Sequence, residues 1–172
     1  MKPEGMVHAL EIVHNLLSQQ GLLIDIHPLA IPPPIEAVSG DCRELIGHLQ
    51  ETDDFIEYTQ AETALQQSIA SGLFTLVKQE NFDFITHAET YSDFVNFIHD
   101  EWKDAILDEQ ISRRWGKILS KWSGEFEGST PEVQMHEQVQ ISRLSRGIIP
   151  HAFKETIHEP KTTRAKNTPG RN

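Results

Sequence analysis

The sequence holds a single cysteine, Cys42, among 172 residues. No disulfide can form within the chain, and a thiolate zinc site is excluded. The first residues lack a basic segment leading into an apolar run with a small-residue cleavage site, so no secretory leader is expected. No apolar run approaches the roughly 20 residues that cross a bilayer. These absences set the expectation of a cytoplasmic protein with no membrane partner. Basic residues are also scarce, 15 Lys/Arg against 26 Asp/Glu. Phosphate binding needs a basic face, so no nucleic-acid partner is expected. Nor do Gly5, Gly21, Gly40 and Gly47 gather into a Gly-x-Gly cluster. No His-Glu-x-x-His is present, and no Ser or Cys sits in a nucleophile turn.

What is present is globular. Hydrophobic residues make up 38% of the chain, and a chain this long can bury a real core. The reading is one α+β domain over residues 1–149, followed by a tail over 150–172. Residues 1–150 carry a net charge of −14 and residues 151–172 a net of +3. The basic tail is expected to be disordered and solvated.

Along the chain, Met6, Val7, Leu10, Val13, Leu16 and Leu17 recur at helical spacing. Gly21 follows where a left-handed cap would end that helix. Leu22-Leu23-Ile24-Asp25-Ile26 is a short, nearly continuous apolar run. Such a run fits a strand buried on both faces, as in parallel sheets. Four prolines between Pro28 and Pro34 make a loop. Gly40-Asp41 between two β-rich segments predicts a hairpin. A helix over 54–71, capped by Asp53 or Thr52, ends at Gly72. Phe74, Leu76, Phe82 and Phe84 share one parity, which predicts a strand with one buried face and a bend near Asn81. Helices follow over 91–106, capped by Ser92 or Thr90, and over 108–122. Residues 123–131 read as a loop. Val133, Met135, Val139 and Ile141 then predict a long strand over 132–145.

The opening of this order resembles class I (Rossmann-like) S-adenosylmethionine-dependent methyltransferases. Ala9 to Leu17 resembles the helix before that family's fifth strand. Ser18-Gln19-Gln20-Gly21 stands for the family's Lys-Pro-Gly-Gly-like turn, with only the final glycine kept. Leu22 to Pro28 stands for the strand and its exit. Phe74–His87 and Val133–Leu144 resemble the sixth and seventh strands, an antiparallel pair with the seventh between the fifth and sixth. The resemblance implies a small mixed or antiparallel sheet with helices packed on it, like the C-terminal half of that fold. The half that binds the methyl donor, with its glycine-rich loop, has no counterpart here.

No catalytic, cofactor-binding or metal-binding residue is assigned from the sequence. The nine histidines are scattered; His8 and His14 are six apart and share no helical face. Glu51, Asp53 and Asp54 are read as a helix-capping cluster rather than acid/base groups. Trp102, Trp115 and Trp122 are read as core or interface. Asp25 and His27 lie two apart at the end of a strand and so point the same way. Both could line a pocket. The simpler alternative has Asp25 accepting backbone hydrogen bonds while His27 packs beside the proline loop.

The expectation for function is a non-catalytic, methyltransferase-like domain acting through a strand edge. Leu22, Leu23, Ile24 and Ile26 form that edge, which would meet a second copy or another protein chain. The alternative is the acceptor side of a split or truncated methyltransferase. No cofactor is expected for the isolated chain, and S-adenosylmethionine only if a partner completes the site.

Overall fold

A computed structural model describes residues 3–122 and 131–147. The expected loop at 123–131 therefore lies outside the described residues except for Pro131, as does the basic tail. Among the described residues the order is α1 (Pro3–Leu16), β1 (Leu22–Pro28), β2 (Pro34–Ser39), β3 (Cys42–His48), β4 (Gln50–Glu51), α2 (Ile56–Ala70), β5 (Phe74–Ala88), α3 (Tyr91–Glu101), β6 (Ala105–Ile106), α4 (Glu109–Trp122) and β7 (Glu132–Arg146). The chain is a mixed α and β structure with antiparallel sheets.

The 15-residue β7 organises the sheet. One side of it pairs with β5 along nearly its whole length. The other side is shared end to end: β1 pairs with Val139–Ser145 and β2 with Glu132–Met135. The proline loop spans the gap, where Leu29 N–H donates to the Gln138 carbonyl at 2.8 Å. The hairpin β2–β3 turns at Gly40, whose φ of 59° suits glycine.

Directly opposed residues in these pairs share a face of the sheet. The odd-numbered residues of β7 define one face and the even-numbered residues the other. On the even face, Leu144 meets Leu23 and the helices α1 and α2 through Leu10, Val13, Leu17, Leu65 and Ile69. At the opposite end, on the odd face, Val133 and Met135 join Ile35 and Ala37 under α3 and α4. Phe94, Ile98, Ile111, Trp115, Ile118 and Trp122 close that second core. Gly47 belongs to it: a Cβ there would overlap Ile111 of α4.

Four local expectations are corrected. First, β1 is not a strand buried on both faces. It is antiparallel to β7, and Leu22, Ile24 and Ile26 are exposed while Leu23, Asp25 and His27 turn inward. Second, Gly21 is not a left-handed cap, because only Gly40 and Gly72 have positive φ among the described glycines. A side chain at Gly21 would instead crowd Leu17 and the Ser18 carbonyl. Third, neither Asp53 nor Thr52 caps α2. Phe55 takes that position at φ 58°, with its ring buried and stacked on Tyr58. Burial of the ring offsets a left-handed backbone that costs a side-chain-bearing residue about 1 kcal/mol. Fourth, the phenylalanines of β5 do not share a face. The register shifts between Leu76 and Lys78, so Phe74 lies on the even face and Phe82 and Phe84 on the odd one. At α3, by contrast, Thr90 is the cap, accepting from Asp93 N–H at 3.1 Å.

Candidate functional site: a histidine clamp and a bare apolar quadrant

The end of β1 places Asp25 and His27 on the even face, two residues apart. His27 Nδ1 lies 2.6 Å from Asp25 Oδ2, and His27 Nε2 lies 3.1 Å from Glu62 Oε2 of α2. The same Glu62 oxygen accepts from Gln140 Nε2 of β7 at 2.8 Å. Both ring nitrogens donate only when the imidazole is protonated. The hydrogen bond to Asp25 accordingly raises the His27 pKa above its ordinary value, and Glu62 adds to this against the opposing effect of burial. His27 is only 8% exposed. The result is a charge-assisted clamp joining β1, α2 and β7. A cavity of about 200 Å³ opens beside it, lined by His27, Pro28, Leu29, Tyr58 and Glu62 among others.

A second polar group lies across Tyr58. Trp102 Nε1 donates to Glu51 Oε1 at 2.5 Å, and the Tyr58 hydroxyl donates to the same oxygen at 3.4 Å. Burial raises the pKa of Glu51 and of Glu137, and that of Tyr58 as well. Tyr58, Trp102 and Glu137 face an open cleft of about 460 Å³ with Glu101, Lys103 and Asp104. Glu51 thus links β4 to α3, and its role is a tertiary contact rather than the helix cap expected from its spacing. Trp115 and Trp122 are core, while Trp102 is half-buried and polar-bonded.

The third feature is a surface. On the odd face at the β1 end, Leu22, Ile24 and Ile26 are 44%, 50% and 58% exposed. They adjoin Ile141 and Val139 of β7, beyond which stand Phe82 and Phe84 of β5. Phe82 and Phe84 are likewise exposed. Among the described residues no element packs over this area, and β1 has no strand partner besides β7.

Sequence reasoning named Asp25, His27 and the four apolar residues of β1. Leu23 departs from the other three, since it packs into the α1/α2 core. Glu62 and Gln140 were missed, because nothing local ties them to His27. A faint signal existed at Gln140 and Ser142, polar residues in the middle of a long apolar-alternating strand. Both are buried.

Among the described residues no group of three or more His, Cys, Asp or Glu is arranged to hold a metal ion. No described helix is long and apolar enough to cross a membrane. Among the described residues, close glycine approaches serve the chain's own packing, Gly47 against Ile111 and Gly147 against Gly72. The described residues define an α+β arrangement in which none of them forms an element over one mostly apolar quadrant of the sheet. No family model, curated protein or solved structure matches the chain.

Proposed function

We propose that this chain is a non-catalytic, methyltransferase-like interaction domain, working through β1 and the odd face beside it. The observation that carries this reading is the half-exposed row Leu22, Ile24 and Ile26 next to an unpaired strand edge. Among the described residues the free edges are those of β1, β3 and β5. The β3 edge carries Arg43 and Glu44, and the β5 edge also differs in kind from that of β1. The outer edge of β5 is interrupted by the irregularity at Val77 and carries Lys78, Glu80 and Asp83. Bulges and charges of that sort discourage pairing. The β1 edge has neither device, since its one charged side chain, Asp25, is bonded to His27. Photo-crosslinking in cells tests the proposal. A photo-reactive residue in place of Ile24 should yield a discrete larger species, a second copy or another chain. The same residue in place of Leu45, also exposed, should not. Absence of any product at position 24 would overturn it.

A second reading is the acceptor side of a split or truncated S-adenosylmethionine-dependent methyltransferase. Two observations favour it. β7 lies between β1 and β5 and is antiparallel to both, in keeping with the order the resemblance implies. A cavity also opens beyond the C-terminal end of β1, where ligands of open α/β sheets gather. In this reading the methyl donor binds only with a partner. Calorimetric titration of the isolated chain with S-adenosylmethionine should show no binding; tight binding would overturn both readings.

A further inference from the structure

We infer that the uncovered quadrant receives an amphipathic helix of a second polypeptide whose adjoining strand pairs with β1. This rests on the interaction reading above and names the kind of partner. At the β1 end, α1 and α2 cover the even face. At the β2 end, α3 and α4 cover the odd face. The odd face at the β1 end adjoins the α3/α4 layer and is mostly apolar, with Arg143, Lys78 and Glu80 among its apolar side chains. A helix layer is about 10 Å thick, so a helix laid there continues the existing layer.

The exposed side chains of this quadrant amount to on the order of 500 Å² of apolar surface, at the upper end of what a monomer leaves bare. The free β1 edge borders the same area, so two needs lie side by side. A second copy of this chain meets one need at a time. Pairing β1 with β1 of a copy around a two-fold axis extends the sheet and leaves both apolar quadrants bare on one side. Stacking two quadrants face to face covers them and leaves both edges unpaired. A strand followed by a helix, the ordinary unit of an α/β protein, meets both needs together. The charge on this face selects the helix further. Arg143 stands between Ile24 and Lys78 on the odd face, in a chain whose net charge is −11. Lys78 is paired with Glu80 at 2.6 Å. A helix with acidic residues flanking its apolar stripe complements Arg143.

Two synthetic probes test the inference on the purified full chain. One is a helix-forming peptide with a leucine stripe flanked by glutamates, made also with lysine flanks. The other is a short extended apolar peptide. The glutamate-flanked helix should shift the methyl resonances of Ile24, Ile26 and Ile141. It should bind at least threefold more tightly than its lysine twin, and Ile24→Glu with Ile26→Glu should abolish the shift at Ile141. The extended peptide should protect β1 amides from hydrogen exchange. If the extended peptide binds and the helix does not, the inference falls while the interaction reading stands. A stable dimer of the pure chain that buries these methyls has the same consequence. If neither peptide binds and the chain stays monomeric, both fall. The double variant's own spectrum shows whether it remains folded.

Discussion

Two quadrants of this sheet lack a helix among the described residues, and they are built of opposite chemistry. On the even face at the β2 end, the surface is a polar network. Arg43 Nη1 donates to Glu36 and Gln134 at 3.3 and 3.0 Å, and His87 meets Glu132 at 2.7 Å. His136 lies 3.6 Å from Glu36. Leu45 and Ile85 are isolated exceptions. On the odd face at the β1 end, the surface is mainly Leu22, Ile24, Ile26, Phe82 and Phe84, with Ile141 at its centre and Arg143 and the Lys78–Glu80 pair as its charged members. Water suits the first quadrant, since antiparallel sheets commonly leave one polar face solvated. The second is predominantly apolar. The lesson is that an absent helix means little by itself; the side chains beneath decide whether anything is missing.

The comparison extends to a third region, the odd face under α3 and α4, where the same residue types are sealed. Ile35 and Ile24 are the same side chain on strands along the same side of β7, yet Ile35 is 0% exposed. Ile35→Ala should cost about 2–5 kcal/mol, from lost burial and the cavity left behind. Denaturant melts of the isolated chain measure this. A loss below about 1 kcal/mol would mean that α3 and α4 do not seal their quadrant, and the contrast would collapse.

A middle-sized effect belongs to the clamp that holds α2 against β1 on the other face. His27→Leu removes both donors and leaves Asp25 and Glu62 without their shared cation. The expected cost is about 2 kcal/mol, in the range for hydrogen bonds to charged groups. The pH dependence has a definite sign. His27's folded pKa is raised above 6.5 by Asp25 and Glu62. Its contribution is therefore fully present below pH 6.5 and is lost as pH rises through the folded value. Wild-type stability should fall across that window, and His27→Leu should flatten the fall. Equal slopes for the two proteins would remove the imidazolium from the account.

These contrasts also explain what could be read from the sequence. Period and punctuation were enough for α1, α4, the hairpin at Gly40 and the long strand β7, because each is a local pattern of side chains. The two-residue strands β4 and β6 carry no period to detect. The shift at Val77 inverts the phenylalanines of β5 without altering their spacing, so parity alone predicted one buried face. In β1 the apolar run was visible, but a run of Leu and Ile looks the same whether or not a neighbour covers it. The clamp was half visible: Asp25 and His27 follow from strand alternation, whereas Glu62 and Gln140 reach them only through the fold.

The smallest effect is the one that best separates the two quadrants. Ile24→Lys places a charge on the bare apolar face, where half of the side chain already meets water. In the isolated chain this should change stability by no more than about 0.5 kcal/mol, as for most surface substitutions. Were the quadrant already covered by the chain's own residues, the same lysine would bury a charge and cost several kcal/mol. A matched change in the polar quadrant, Arg43→Leu, should also fall within about 0.5 kcal/mol, since exposed ion pairs contribute little. The two variants should then differ in solubility rather than in melting. Ile24→Lys breaks up an apolar patch and should reduce self-association in light scattering, whereas Arg43→Leu enlarges the exposed apolar area around Leu45 and should increase it. Near-neutral stability with opposite effects on association identifies the β1 quadrant as surface kept apolar at no benefit to the isolated fold. That is the condition expected of a surface whose stabilisation comes from a partner.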